Sequence, residues 1–154
     1  MKISEGQIAP DFSGKDQDGN TVALSDFKGK KVILYFYPKD DTPGCTAEAC
    51  NFRDNYQFLL KKGFVIIGVS ADSEKSHQKF IEKYKLPFPL ISDSTKTIIN
   101  EYGVWGEKKL YGLFSVGIIR TTFIISEEGI IEKIISKVDT KKHTEQIIES
   151  LNLN

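Results

Sequence analysis

Seven consecutive residues, Lys31-Val32-Ile33-Leu34-Tyr35-Phe36-Tyr37, constrain the whole chain. After Lys31 no charged residue interrupts the run, and β-branched and aromatic side chains dominate it. A strand with one wet face alternates polar and apolar residues. A continuous run reads as a strand buried on both faces. Such a strand needs cover on each side, which points to a central sheet flanked by helices.

The run feeds Pro38-Lys39-Asp40-Asp41-Thr42-Pro43-Gly44, a turn by composition, and then Cys45. The spacing of Ala49, Phe52, Tyr56 and Leu59/Leu60 predicts a helix over 45–62, closed by Lys61-Lys62-Gly63. Phe64–Ser70 reads as a second central strand. A helix over 76–85 turns Phe80, Ile81 and Tyr84 inward, and Pro87 and Pro89 bracket the start of a strand over 88–91. A short helix over 95–102 follows, with Trp105 as a loop anchor. Strands over 120–126 and 130–135 flank the turn Glu127-Glu128-Gly129, and a helix over 140–151 closes the chain on Ile147, Ile148 and Leu151.

Residues 1–29 form a polar N-terminal arm. Within it Asp18-Gly19-Asn20 predicts a hairpin between Phe12-Ser13 and Thr21–Leu24, and Ser25–Gly29 a short turn. Alternating strands and helices require a parallel core with right-handed crossovers, and the later hairpin adds antiparallel strands. The fold class is α/β, with a mixed central sheet flanked by helices. The helix that carries Cys45 would start at the C-terminal end of a central strand, where open α/β sheets place their sites.

A chain of 154 residues suits a single domain over 1–154. Its 21 basic and 21 acidic residues cancel, and no basic block marks a nucleic-acid partner. The start, Met1-Lys2-Ile3-Ser4-Glu5-Gly6, lacks an apolar signal region, and runs such as Val65–Val69 are too short to cross a bilayer. The expectation is a cytoplasmic protein without membrane contacts. No long apolar arm follows Leu151, which favours a monomer. Two cysteines and two histidines, His77 and His143, do not have zinc-site spacing, so no metal is expected. Both histidines fall at polar helix starts and read as surface residues.

In a reducing compartment two cysteines read as catalytic or redox-active. A helix N-terminus offers free N–H groups and partial positive charge, which favour a thiolate. Thr42 stands three residues before Cys45, in reach of the sulfur or of a bound oxygen. Pro38 and Pro43 stiffen the turn, and Gly44 permits close approach to the backbone. An arginine would add charge, and Arg53 and Arg120 are both candidates. The competing reading is a buried, inert cysteine in a core helix.

Cys50 either resolves an oxidised Cys45 or is a spectator. On an intact helix, residues five apart have Cα atoms ~8–9 Å apart, beyond the ~7 Å that a disulfide bridges. A Cys45–Cys50 bond therefore requires the first helical turns, residues 43–51, to unwind. Cys45 shares the stripe of Ala49, Phe52 and Tyr56, whereas Cys50 points to a flank. Glu48 either stabilises the helix N-terminus or relays a hydrogen bond to the site. Asp40 and Asp41 read as solvated turn residues, and Asp72-Ser73 and Asp93-Ser94 as turns or caps.

The spacing Pro38-x-x-x-Thr42-x-x-Cys45 resembles the peroxidatic signature of peroxiredoxins. The longer run Tyr37–Asp54 is similar to the bacterioferritin comigratory protein branch, also called PrxQ. Gly68–Ser73, Ser76–Phe80, Leu86–Asp93, Gly103–Gly106 and Arg120–Phe123 agree in order along the chain.

The resemblance implies a thioredoxin-like fold and a thiol-dependent peroxidase acting on hydrogen peroxide and organic hydroperoxides in antioxidant defence. It implies that Cys45 attacks the O–O bond and becomes a sulfenic acid, and that Cys50 resolves it as an intramolecular disulfide recycled by thioredoxin. Thr42 would orient the peroxide, Pro38 would shield the sulfur, and Pro43, Gly44 and Glu48 would support the pocket. Of the two arginines, Arg120 matches the one that holds thiolate and peroxide. Neither metal nor organic cofactor is implied. Tyr111–Ile119 departs from the pattern in being more apolar. A second reading makes the Cys45–Cys50 pair a redox switch on a partner-binding surface. A thioredoxin-like oxidoreductase is disfavoured, because no Cys-x-x-Cys is present.

Overall fold

A computed structural model describes residues 3–110 and 112–152. Met1 and Lys2 of the N-terminal arm, Tyr111 of the apolar stretch, Leu153 and Asn154 lie outside the described residues. The elements are β1 (Ser13–Lys15), β2 (Thr21–Ala23), β3 (Lys31–Phe36), α1 (Pro43–Asp54), α2 (Tyr56–Lys61), β4 (Phe64–Ser70) and α3 (Glu74–Tyr84). They continue through β5 (Leu90–Ser92), α4 (Thr97–Glu101), β6 (Trp105–Leu110), β7 (Leu113–Ile118), β8 (Thr121–Ile125), β9 (Ile131–Ile135) and α5 (His143–Ser150).

Seven strands form one mixed sheet in the order β2-β1-β5-β4-β3-β8-β9. β3 lies inside it, parallel to β4 and antiparallel to β8. Its side chains divide by the two-residue period of a strand. Val32, Leu34 and Phe36 enter a core with Phe12, Ile98, Ile99, Tyr102 and Phe123. Ile33, Tyr35 and Tyr37 enter the opposite core with Ala49, Phe52, Leu59, Phe80 and Ile147. The continuous apolar run is thus explained: both faces of β3 are dry. This is the mixed, helix-flanked α/β fold expected from the sequence.

Three local expectations need correction. The helix expected over 45–62 begins earlier, at Pro43, and is broken at Asn55, which has φ −106° and ψ 12°. The Asn55 side-chain amide donates to the carbonyl of Asn51 at 2.8 Å, competing with the helical ladder for that acceptor. Proline suits the first helical position, since its missing N–H has no partner there in any helix.

The second correction concerns Trp105 and the stretch after it. They are not a loop: β6 and β7 pair antiparallel from Trp105↔Ile118 to Leu110↔Leu113 as a separate two-stranded sheet. Gly106, Gly112 and Gly117 interrupt the strand pattern in the sequence, and Leu113, Phe114 and Val116 are exposed.

Third, the strand expected over 88–91 is Leu90–Ser92. It starts beyond Pro89, which has no N–H to give to a ladder.

Candidate active site

Register brings the site together. Phe36 at the end of β3 pairs with Thr121 at the start of β8. Arg120, one residue earlier, therefore lies beside the C-terminal end of β3, where the chain turns into α1. Thr42 caps α1 in an extended conformation, Pro43 is its first residue, and Cys45 its third. Cys45 is thus inside the first turn rather than at the helix start. The N–H of Thr46 already bonds the Thr42 carbonyl at 2.8 Å, while those of Gly44 and Cys45 precede the first intrahelical bond.

Cys45 is 1% exposed. Nη2 of Arg120 donates to its Sγ at 3.2 Å across 75 residues of sequence. Nη1 of the same guanidinium donates to Oε1 of Glu48 at 2.7 Å. One fork therefore serves the thiol and a carboxylate together. Gly44 allows this approach: a Cβ there would lie 3.2 Å from Arg120 Nη2. Burial alone would lower the Arg120 pKa, but Glu48 and Cys45 outweigh it and raise it. Arg53 is elsewhere, on Asp54 and on the carbonyl of Tyr84 at 2.8 Å.

Glu48 is fully buried, and burial pushes its carboxyl up to about 7 against the pull of Arg120. Its Oε2 has no hydrogen-bond partner, and His143 Nε2 stands 3.6 Å away. The sequence left Glu48 open between a helix-end role and a relay; its hydrogen bond from Arg120 joins it to Cys45 through one guanidinium. The Thr42 hydroxyl is not on the sulfur but donates to the carbonyl of Lys39 at 2.9 Å. Pro38 is half-buried beneath the same turn and Pro43 is exposed.

Cys50 sits on α1, partly exposed, and both thiols are free. No break interrupts α1 between them, so helical geometry keeps them apart. Burial raises the Cys50 pKa, which keeps that thiol protonated. The next residue, Asn51, reaches α5: its amide donates to the carbonyl of Lys141 at 3.0 Å, and its oxygen accepts the N–H of Thr144 at 2.8 Å.

The reading of His77, His143 and Asp40 as solvent-facing residues is overturned. Both histidines are 0% exposed and Asp40 is 8% exposed. Asp40 accepts from Tyr37 Oη at 2.6 Å and from Ser76 Oγ at 2.7 Å, and contacts His77 Nδ1 at 2.7 Å. His77 Nε2 donates to the carbonyl of Ile91 at 3.0 Å. The helical spacing held the signal: His77 shares a face with Phe80, Ile81 and Tyr84, as His143 does with Ile147. Asp41, with φ +56°, is clasped by Lys83 and by Tyr84 Oη, each at 2.8 Å.

Asp40, Asp72 and His77 also bring ligand-type atoms within 4.8 Å of one another. Those atoms are spent internally, since Asp72 Oδ2 accepts the N–H of Asp40 and the hydroxyl of Ser70, both at 2.8 Å. The cluster reads as a lock on the turn before Cys45. Among the described residues no helix is long and apolar enough to cross a membrane.

Chemically, the site offers a buried sulfur, a guanidinium on it, and unpaired N–H groups at a helix start. Such a pocket polarises a small electrophile and stabilises the anion displaced from it when the sulfur attacks.

Comparison with known proteins gives the same direction. The model of the AhpC/TSA family matches residues 6–134. Peroxiredoxin Bcp of Bacillus subtilis is 48% identical over 151 residues, covering 98% of this chain and 96% of that protein. Chloroplastic peroxiredoxin Q of Triticum aestivum is 44% identical, covering 97% of this chain and 69% of that protein. A structure of the bacterioferritin comigratory protein of Xanthomonas campestris, studied for alkyl peroxide reduction, has a TM-score of 0.84 at 35% identity. That likeness covers 92% of this chain and 90% of the other.

Proposed function

The chain belongs to the AhpC/TSA family, in its Bcp/PrxQ branch of thiol-dependent peroxidases, and on that premise we propose how its residues divide the reaction. The Cys45 thiolate attacks one oxygen of hydrogen peroxide or an organic hydroperoxide. The O–O bond breaks, Cys45 becomes a sulfenic acid, and the departing oxygen takes a proton to leave as water or an alcohol. The 3.2 Å contact of Arg120 with Cys45 Sγ carries this reading. It places a fixed positive donor where the sulfur, the peroxide and the developing oxyanion meet. The hydroxyl of Thr42 and the N–H groups of the first turn line the peroxide position.

Cys50 resolves the intermediate. Its thiol attacks the sulfenic sulfur, releases water and forms the Cys45–Cys50 disulfide. Helix α1 unwinds over its first turns to allow it. A dithiol reductant of the thioredoxin class restores both thiols. Since both cysteines lie on one helix, the cycle is complete within one chain, which supports a monomer. We place the enzyme in the cytoplasm, where such reductants are found.

Mass spectrometry after one equivalent of peroxide tests the scheme. The expected product is an intramolecular disulfide, replaced by a sulfenic acid in Cys50→Ser. Cys45→Ser is expected to consume no peroxide, and full turnover in that variant would overturn the assignment.

A further inference from the structure

Beside the unpartnered Oε2 of Glu48 stands an unused titratable side chain. His143 begins α5, is fully buried, and plays no part in the scheme above. Its tautomer follows from its neighbours. The side-chain amide of Gln146 is fixed by two backbone groups: Nε2 donates to the carbonyl of Lys137 at 2.8 Å, and Oε1 accepts the N–H of Asp139 at 3.0 Å. The same Oε1 faces His143 Nδ1 at 2.8 Å, so Nδ1 carries the hydrogen. Burial lowers the His143 pKa to about 4, and the neutral ring therefore presents a lone pair on Nε2.

That lone pair receives the hydroxyl of Thr122 at 2.8 Å and faces Glu48 Oε2 at 3.6 Å. Oε1 of Glu48 is already taken by Arg120. The two carboxyl oxygens thus have distinct surroundings: Oε1 meets a cation, and Oε2 meets an acceptor. A proton on this carboxyl belongs on Oε2, where a small rotation brings it onto His143 while the Thr122 hydroxyl turns aside.

We propose that His143 is a positioning residue for the peroxidase site, receiving the Oε2 proton of Glu48 so that Glu48 orients Arg120 through Oε1 without cancelling its charge on Cys45. An ionised Glu48 would hold Arg120 equally well but would neutralise much of the charge it brings to the sulfur. A carboxylic acid keeps the geometry and leaves the charge to the thiolate and the departing oxygen. The inference rests on the peroxidase reading for its meaning, but not for its test.

The other groups facing this pair are Cys45 on α1, Tyr35 on β3, Arg120 before β8 and Asp139 before α5. Lys108 on β6 interacts with Arg120 and Cys45. Nitrogen-15 NMR of His143 in the Cys45→Ser protein removes the thiol from the titration. The expected result is the Nδ1–H tautomer from pH 5.5 to 8.5, with an Nε2 resonance that moves around the Glu48 midpoint of about 7. That movement should vanish in Glu48→Gln. An Nε2–H tautomer, or an Nε2 resonance unchanged by Glu48→Gln, would overturn the proposal.

A second arm follows Cys45 alkylation by iodoacetamide in a Cys50→Ser background. His143→Asn replaces the lone pair by an amide that donates to Oε2. It should move the Glu48 limb of the pH profile down by about one unit and slow alkylation at pH 7 by up to about tenfold. An unshifted limb in a folded variant counts against the proposal. Neither arm uses peroxide, so failure of the peroxidase reading leaves both results interpretable.

Discussion

The side-chain oxygen of Asn51 accepts the backbone N–H of Thr144 at 2.8 Å, so the residue after Cys50 caps a different helix. α5 needs that cap, because its own N-cap residue, Lys142, makes no side-chain capping bond. In the proposed cycle, unwinding α1 to form the disulfide would pull Asn51 off α5. Asn51→Ala removes the clasp, and a lost cap is worth about 1 kcal/mol, roughly fivefold in the opening equilibrium. The expected outcome is severalfold faster disulfide formation by rapid-quench thiol labelling, with less sulfinic acid at excess peroxide. An unchanged disulfide rate would show that opening does not pass through this contact.

Arg120 bridges Cys45 and Glu48 with one guanidinium. On the proposed mechanism Arg120→Met removes the donor that steadies the developing oxyanion, and single-turnover oxidation of Cys45 should slow about 100-fold. Arg120→Lys retains the charge but has only a point donor in place of a fork, so it should recover part of that loss. Wild-type rates in Arg120→Met would remove Arg120 from the mechanism.

Gly44→Ala separates activity from stability. Alanine is the better helix former by about 1 kcal/mol, and Gly44 does not need a left-handed backbone. Its Cβ would press on Arg120 Nη2 at 3.2 Å. The variant is expected to melt no lower than wild type yet to oxidise more slowly, measured by urea denaturation beside single-turnover kinetics. Equal slowing with marked destabilisation would point to a general packing defect instead.

Glu48 and His143 pull the pH dependence of stability in opposite directions. The Glu48 pKa rises on folding from 4.5 to about 7, so the native state holds the extra proton in that window. Its contribution is full below pH 4.5 and is lost as pH rises through 7. The His143 pKa falls on folding from 6.5 to about 4, so the unfolded state holds the extra proton, and stability rises with pH across that range. The two slopes largely cancel between pH 4.5 and 6.5. In Glu48→Gln the His143 limb is no longer offset, and it should raise stability by about 3 kcal/mol at most from pH 4 to 6.5. Urea melts across that range give the readout, and a flat profile in Glu48→Gln would contradict these protonation states.

The sheet core was legible because Lys31–Phe36 and Phe64–Ser70 carry an uninterrupted apolar signal that only a doubly covered strand tolerates. Cys45 was legible through a local signal too, a thiol just inside a proline-opened helix. Local pattern did not show the partners of that thiol; the family resemblance named Arg120. Arg120 reaches it through the Phe36↔Thr121 register, and residue types alone did not separate Arg120 from Arg53. His77 and His143 were misread because polar neighbours in sequence outweighed the helical spacing that turns them inward. The β6–β7 pair was missed because glycines broke its alternation and its apolar residues face outward. Local pattern thus located the sulfur, while its electrostatic partners depended on tertiary register.

The turn before Cys45 is held by a buried hydrogen-bond network. His77 Nε2 faces the carbonyl of Ile91 and must carry a hydrogen. The 2.7 Å contact between Nδ1 and Asp40 Oδ2 ties the other side of the ring to the turn. Tyr37 and Ser76 both donate to Asp40, tying the end of β3 and the start of α3 to the same side chain. His77→Leu strips Asp40 of its partner and leaves the Ile91 carbonyl unpaired, a loss of about 3 kcal/mol. Asp40→Asn is milder, about 1 kcal/mol, because an amide still accepts from Tyr37 and still faces His77 Nδ1 with a polar group. Since this network fixes the turn and not the sulfur, the turn itself should loosen. Trypsin is expected to cut His77→Leu rapidly after the exposed Lys39, while wild type and Asp40→Asn resist. Equal resistance in all three would mean that α1 and the sheet hold the turn without the buried pair.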